Sequence, residues 1–80
     1  MMFTDQLQLQ ECDFELQLID AETSLFESKR NLRRLELDGG DRLAKLSLKV
    51  EVNRAEVKVV KIETVLFHLR RKIKAAVNSQ

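Results

Sequence analysis

The chain contains one cysteine and one histidine, Cys12 and His68, and these are the first residues to consider for chemistry. A nucleophilic site needs a base positioned beside the nucleophile, and a metal site needs three or four ligands. If the chain folds back at its midpoint, the two residues come opposite each other, but no third ligand or base accompanies them. We therefore interpret Cys12 as a small apolar residue and His68 as a polar flank.

Other reaction chemistry has no support in the sequence. Neither Gly39 nor Gly40 is followed by the Lys-Ser/Thr pair of a phosphate-binding loop. Acid pairs such as Asp13 and Glu15 point to different sides of a helix and share no pocket. We predict that the protein is not an enzyme, with no catalytic, cofactor-binding or metal-binding residue and no cofactor.

Gly39 and Gly40 are the only glycines in 80 residues without proline, and they divide the chain nearly in half. Glycine and proline are the main breaks in local structure, so a chain with one break has room for two long elements. Charged residues make up 34% of the chain and apolar residues 44%, which is typical of long helices. We predict an all-α fold: two long antiparallel helices that form a hairpin reversing at Gly39-Gly40 and assemble into a helical bundle or coiled coil.

The spacing of apolar residues supports helices over strands. Residues 46–52 alternate with period two, as a half-buried strand does, but the longer series follow the three-then-four spacing of a helix face. We name the main series the seam stripe and expect it to be buried between the helices. Its members are Leu7, Phe14, Leu18, Ala21, Leu25, Leu32 and Leu35 in the first half, and Leu48, Val52, Ala55, Val59, Ile62, Leu66, Leu69, Ile73 and Ala76 in the second. We expect one set of four to pack against another, either within one chain or across two chains: Phe14, Leu18, Leu25 and Leu32 against Val59, Ile62, Leu66 and Leu69.

The predicted single domain, residues 1–80, has helices at about 4–37 and 42–77 and a turn at 38–41. Thr4 and Asp5 suit a helix N-terminus. Gly39 or Gly40 supplies the left-handed residue that ends the first helix, and Asp41 caps the second. Gly39, Gly40 and Asp41 are therefore the predicted hairpin turn.

Charge is distributed unevenly along the chain. Residues 1–28 contain seven acids and no base, whereas residues 29–80 contain all 14 bases and the other six acids. Folding at the glycines brings residue i near residue 80 minus i, so the acidic arm lies along the basic arm. The expected ion pairs are Asp5 with Lys74, Glu22 with Lys58 and Glu27 with Arg54. Because each exposed pair contributes only ~0 to 1 kcal/mol, the charges select the antiparallel register more than they stabilise it.

A second apolar series, which we name the outer stripe, lies on roughly the opposite side of each helix. Its members are Leu9, Cys12, Leu16, Ile19, Thr23 and Phe26 in the first half, and Leu43, Leu46, Val50, Val57 and Val60 in the second. A monomeric hairpin that exposed the outer stripes of both helices would show a larger apolar surface than monomers usually have. The alternative is that each helix has one wide apolar stripe, which wraps around the seam between the helices. We expect Leu9, Leu16, Ile19 and Phe26 to bind a partner, either a second copy of the chain or another helical protein.

The predicted function is therefore a non-enzymatic helical protein–protein interaction or assembly module, self-associating by preference. A nucleic-acid-binding regulator is an alternative, because bases outnumber acids around the turn, but no aromatic residue lies among them to stack on a base. With no basic-then-apolar leader, one cysteine and no uncharged run of ~18 to 20 residues, we expect a cytoplasmic protein and no membrane partner.

The hairpin also resembles a known family. Small helical co-chaperones of the needle subunit of type III secretion are similar in length, in two-helix layout and in a Gly-Gly-Asp turn, matched here by Gly39, Gly40 and Asp41. The resemblance implies a third possible function, a secretion-type co-chaperone that binds a helical partner.

Overall fold

The structure, a computed structural model, describes the backbone of residues 2–79 and the side chains of residues 4–79. Helix α1 spans Met2–Leu37 and helix α2 spans Arg42–Asn78. Residues 2–79 contain no strand, and the two helices pack against each other along their length. The all-α hairpin reversing at Gly39-Gly40 is thus confirmed.

The start of α1 differs from the expected one. The helix begins at Met2, so Thr4 lies within its first turn and is not the residue that precedes it. Asp5 does lie in the first turn, where a carboxylate is favoured by the positive end of the helix dipole.

The turn after α1 is a Schellman motif. Gly39 has φ 70°, the only positive φ in the described backbone. The Gly40 N–H donates to the Leu35 carbonyl at 2.9 Å, and the Gly39 N–H donates to the Glu36 carbonyl at 3.4 Å. These two bonds satisfy carbonyl groups that the end of α1 leaves without a partner, and they need a left-handed residue at Gly39.

Asp41 stands at the N-cap position of α2 with φ −59° and ψ 142°, but its carboxylate makes no capping hydrogen bond. The expectation that its side chain caps the helix is therefore wrong, although its position is as expected. Its backbone carbonyl accepts the first helical bond, from the Lys45 N–H at 3.0 Å.

The buried core is a single narrow layer along the seam between the helices. Ala21, Ile62 and Leu66 form its centre, and Phe14, Leu18 and Val59 pack against them. The remaining described seam-stripe residues are buried or half-buried, in agreement with their predicted place: Leu7, Leu25, Leu32 and Leu35 on α1, and Leu48, Val52, Ala55, Leu69, Ile73 and Ala76 on α2. The seam is therefore the face that the sequence pattern predicts.

The ion pairs across the seam differ from the expected ones. Arg70 Nε lies 3.0 Å from Glu11 Oε2, and Arg70 Nη2 lies 3.4 Å from Glu15 Oε2. A weaker contact of 3.8 Å joins Lys29 Nζ to Glu56 Oε1.

No ion pair within 4 Å joins Asp5 to Lys74, Glu22 to Lys58 or Glu27 to Arg54 in the part of the chain the structure describes. Residues i and 80 minus i share a height along the rod, but they do not all lie on the same side of it. Glu27 and Arg54 both point outward, and both are exposed.

The molecule is a thin rod. Its Cα atoms extend over 60 × 14 × 13 Å, with a radius of gyration of 17.9 Å. A compact domain of this length has a radius of gyration of about 12 Å. Neither described helix combines the length and the apolar character that crossing a bilayer requires.

Candidate functional site

The outer stripe of α1 faces solvent. Leu9, Leu16, Ile19 and Phe26 are between 59% and 66% exposed, although each is a large apolar side chain. They are offset from the seam stripe by about two residues, and two residues turn a helix by about 200°. Packing α1 against α2 through the seam therefore turns these four side chains away from α2.

The outer stripe of α2 is exposed in the same way. Leu43, Leu46, Val50, Val57 and Val60 are all exposed, the least of them by 48%. The two outer stripes lie on the two far sides of the rod, because each is opposite the seam on its own helix.

Phe67 extends the α2 outer stripe and is missing from the sequence-based series. It follows Val60 by seven residues, the repeat of a helical stripe, and it is 57% exposed. The ring centroids of Phe67 and His68 lie 5.6 Å apart, and the Arg71 guanidinium lies 5.7 Å from the centre of the Phe67 ring. Extending the spacing by one further step would have found it.

Thr23 belongs to the α1 outer stripe, and Thr64 lies between Val60 and Phe67 at the spacing of the α2 outer stripe. The Thr23 hydroxyl donates to the Ile19 carbonyl at 2.8 Å, and the Thr64 hydroxyl donates to the Val60 carbonyl at the same distance. With the hydroxyl bonded within its own helix, each side chain can present its methyl group to a neighbour.

Open grooves run along both outer stripes. On α2, Val50 and Val57 form the floor of a groove whose edge carries Arg54, Lys58 and Lys61. On α1, a smaller groove is lined by Ile19, Glu22, Thr23 and Phe26. Bases line the first groove and an acid lines the second, whereas an adjoining groove on α2 is lined by Glu56 as well as by Lys61.

Catalytic chemistry gains no candidate from the structure. Cys12 is exposed as a free thiol on the outer stripe of α1, and His68 contacts the Phe67 ring. Among the residues with described side chains, no group of three or more His, Cys, Asp or Glu is placed to hold a metal ion. Arg33, Arg34 and Arg42 near the turn are exposed and Lys45 is half-buried, and nucleic-acid binding by these residues stays a prediction.

Comparison with protein-family models, with curated proteins and with solved structures finds no match to this chain. The exposed outer stripes are therefore the features of this chain from which a function can be inferred.

Proposed function

We propose that this protein is a non-enzymatic helical assembly module that self-associates through its outer stripes. The observation that carries the proposal is the distribution of apolar side chains. Within the described part of the chain, thirteen large apolar residues are exposed, whereas six apolar residues are buried. Ten of the thirteen lie along the outer stripes, Phe67 included. A hairpin of two helices has no second interior in which to place them, so we expect another chain to cover them.

The total surface supports the same proposal. The chain exposes 6419 Å², whereas a compact monomer of 9.3 kDa exposes about 5,000 Å² by the usual scaling of area with mass. The outer stripes contribute large apolar side chains to this surface, and exposed apolar patches mark interaction sites. Association would remove these side chains from water.

The alternative within the same class is a different helical protein on the same stripes, which includes the co-chaperone role implied by the Gly39-Gly40-Asp41 turn. The lone cysteine, with no second cysteine for an internal disulfide, is compatible with a cytoplasmic location. Both hetero-association and location belong to the proposal and await experiment.

The test is Phe26→Glu, which places a charge in the middle of the α1 outer stripe. Burial of Phe26 between chains contributes ~1.5 to 3 kcal/mol, and a buried unpaired carboxylate is costly, so we expect the variant to sediment as a smaller species with its helical circular dichroism intact. Val77→Glu is the matched control, because Val77 is 52% exposed but lies outside both outer stripes. If Phe26→Glu and Val77→Glu have the same mass as the unmodified chain, the outer stripe of α1 does not mediate self-association.

A further inference from the structure

Two rows of opposite charge border the outer stripes. Asp13, Asp20 and Glu27 follow one edge of the α1 outer stripe at seven-residue spacing. On α2, the corresponding edge carries Arg54, Lys61 and His68 at the same spacing. All six side chains are exposed, and none takes part in an ion pair within the described chain.

Each row lies directly beside its stripe. Asp20 is four residues after Leu16, and Lys61 is four residues after Val57, so each charge is the surface neighbour of an apolar member. On α2, Arg54 and Lys61 line one groove together with Val50 and Val57. Both stripes are therefore apolar, but the edge described here is acidic on α1 and basic on α2.

We infer that the outer stripe of α2 in one copy packs antiparallel against the outer stripe of α1 in the next copy. The rods then lie side by side, and the interface is head-to-tail in the sense that it joins two different surfaces of the same chain. The inference rests on the proposed self-association and specifies its geometry. Opposite charges along facing edges favour this pairing and fix its register.

One antiparallel alignment matches every layer of the two stripes. It places Leu9 opposite the next copy's Phe67, and it continues with Leu16 opposite Val60, Ile19 opposite Val57 and Phe26 opposite Val50. The polar members also face each other, Thr23 opposite Asn53. The same alignment brings two opposite charge pairs together, Asp20 with Lys61 and Glu27 with Arg54, and places Asp13 beside the His68 imidazole, which is not counted as a charge.

Symmetric pairings are disfavoured by the same charges. Packing α1 against α1 would place the acidic row of one copy, Asp13, Asp20 and Glu27, against the same acidic row of the other copy. Packing α2 against α2 would place Arg54 and Lys61 of one copy against the same bases of the other. Like charges placed across an interface act against that partner.

The other edge of the stripes carries Glu15, Glu22 and Lys29 on α1, and Lys49, Glu56, Glu63 and Arg70 on α2. Glu15 with Arg70, and Lys29 with Glu56, are paired across the hairpin's own seam, whereas Glu22, Lys49 and Glu63 take part in no ion pair within the described chain. The alignment above brings Glu22 near Glu56, so this edge does not favour the pairing, which is favoured by the first edge alone.

The geometry also determines how the assembly grows. The two outer stripes lie on opposite sides of the rod, so one neighbour cannot cover both. A head-to-tail interface of this kind continues into a ring or an open fibre and does not stop at two copies. In the alignment above, adjacent rods are nearly level, with their turns at the same end.

Charge reversal tests this arrangement. The first variant combines Asp20→Lys with Glu27→Lys, and the second combines Arg54→Glu with Lys61→Glu. Alone, each variant is expected to self-associate at least ~10-fold more weakly than the unmodified chain, because its two edges now carry the same sign. An equimolar mixture of the two is expected to regain assembly, since each acidic edge again meets a basic edge on the other variant.

The control for the first variant, Asp38→Lys with Glu51→Lys, makes the same change in net charge as that variant at exposed positions away from the outer stripes, and it is expected to assemble normally. Masses of three or more copies, together with rescue by mixing, support the inference. A mass that stops at two copies, or charge variants that assemble as the control does, would overturn it. If Phe26→Glu still disperses the protein in that case, self-association stands and only the head-to-tail geometry fails.

Discussion

Leu66 and Ala21 are the most enclosed side chains of the rod, with 1% and 2% exposure. Ala21 is small, so α2 can bring Ile62 and Leu66 close to α1, and Phe14 closes the cluster from the side. Because few side chains are buried, this cluster has a large share of the packing energy.

Replacing Leu66 by alanine therefore tests the seam at its centre. Leu66→Ala is expected to lower the free energy of unfolding by about 2 to 5 kcal/mol, the cost of a cavity at a buried leucine. Val65→Ala is the control, because Val65 is the sequence neighbour and is 41% exposed; its effect is expected to stay within about 0.5 kcal/mol. Urea unfolding followed by circular dichroism, at one protein concentration, measures both. Equal losses would show that the cluster does not hold the hairpin together.

The seam residues could be predicted from the sequence because a helix face repeats regularly, and a long series identifies it. The contacts of Arg70 with Glu11 and Glu15 could not be predicted in this way. The pairing of residue i with residue 80 minus i gives the height of a side chain along the rod, whereas an ion pair also needs both side chains on the same side.

At the scale of elements, the turn is what converts one helical sequence into a hairpin. Gly39 needs the left-handed region, and a Cβ on Gly40 would overlap Leu35 Cδ1 and Cγ at the end of the seam. The glycine pair could be predicted to form the turn, since no other break exists. The lack of a capping bond from Asp41 could not be predicted, because it depends on the rotamer of one side chain.

Gly39→Ala with Gly40→Ala is expected to open the hairpin. Alanine at Gly39 costs ~1 kcal/mol or more in the left-handed region, and each alanine favours a continuous helix by close to ~1 kcal/mol. In a Phe26→Glu background, which removes outer-stripe association, small-angle scattering should show a particle longer than the 60 Å rod, up to ~115 Å for one unbroken helix.

Gly39→Asn in the same background is the control, because asparagine adopts the left-handed conformation more readily than other residues and should keep the 60 Å rod. Helical circular dichroism should be kept in both variants. A double-alanine variant that stays as short as the control would mean that the seam, and not the glycine pair, is sufficient to define the reversal.

At the scale of the whole molecule, the rod has one buried layer and two exposed apolar sides. The number of apolar stripes could be predicted from the sequence, and so could the consequence that one hairpin cannot bury them all. The identity of the partner could not be predicted, because a helical stripe determines that the contact is apolar and which charge borders it, but it does not determine which protein binds. Complementary edges on the same chain point to a second copy.

If association covers the outer stripes, the mass of the protein in solution must rise with its concentration. Sedimentation equilibrium of the unmodified chain over a wide concentration range should give an average mass that rises from 9.3 kDa to several copies. The rise should weaken with added salt, because exposed charge pairs at the interface are screened. A mass that remains 9.3 kDa at the highest concentration would contradict the account, since both outer stripes would then be stable in water without a second copy.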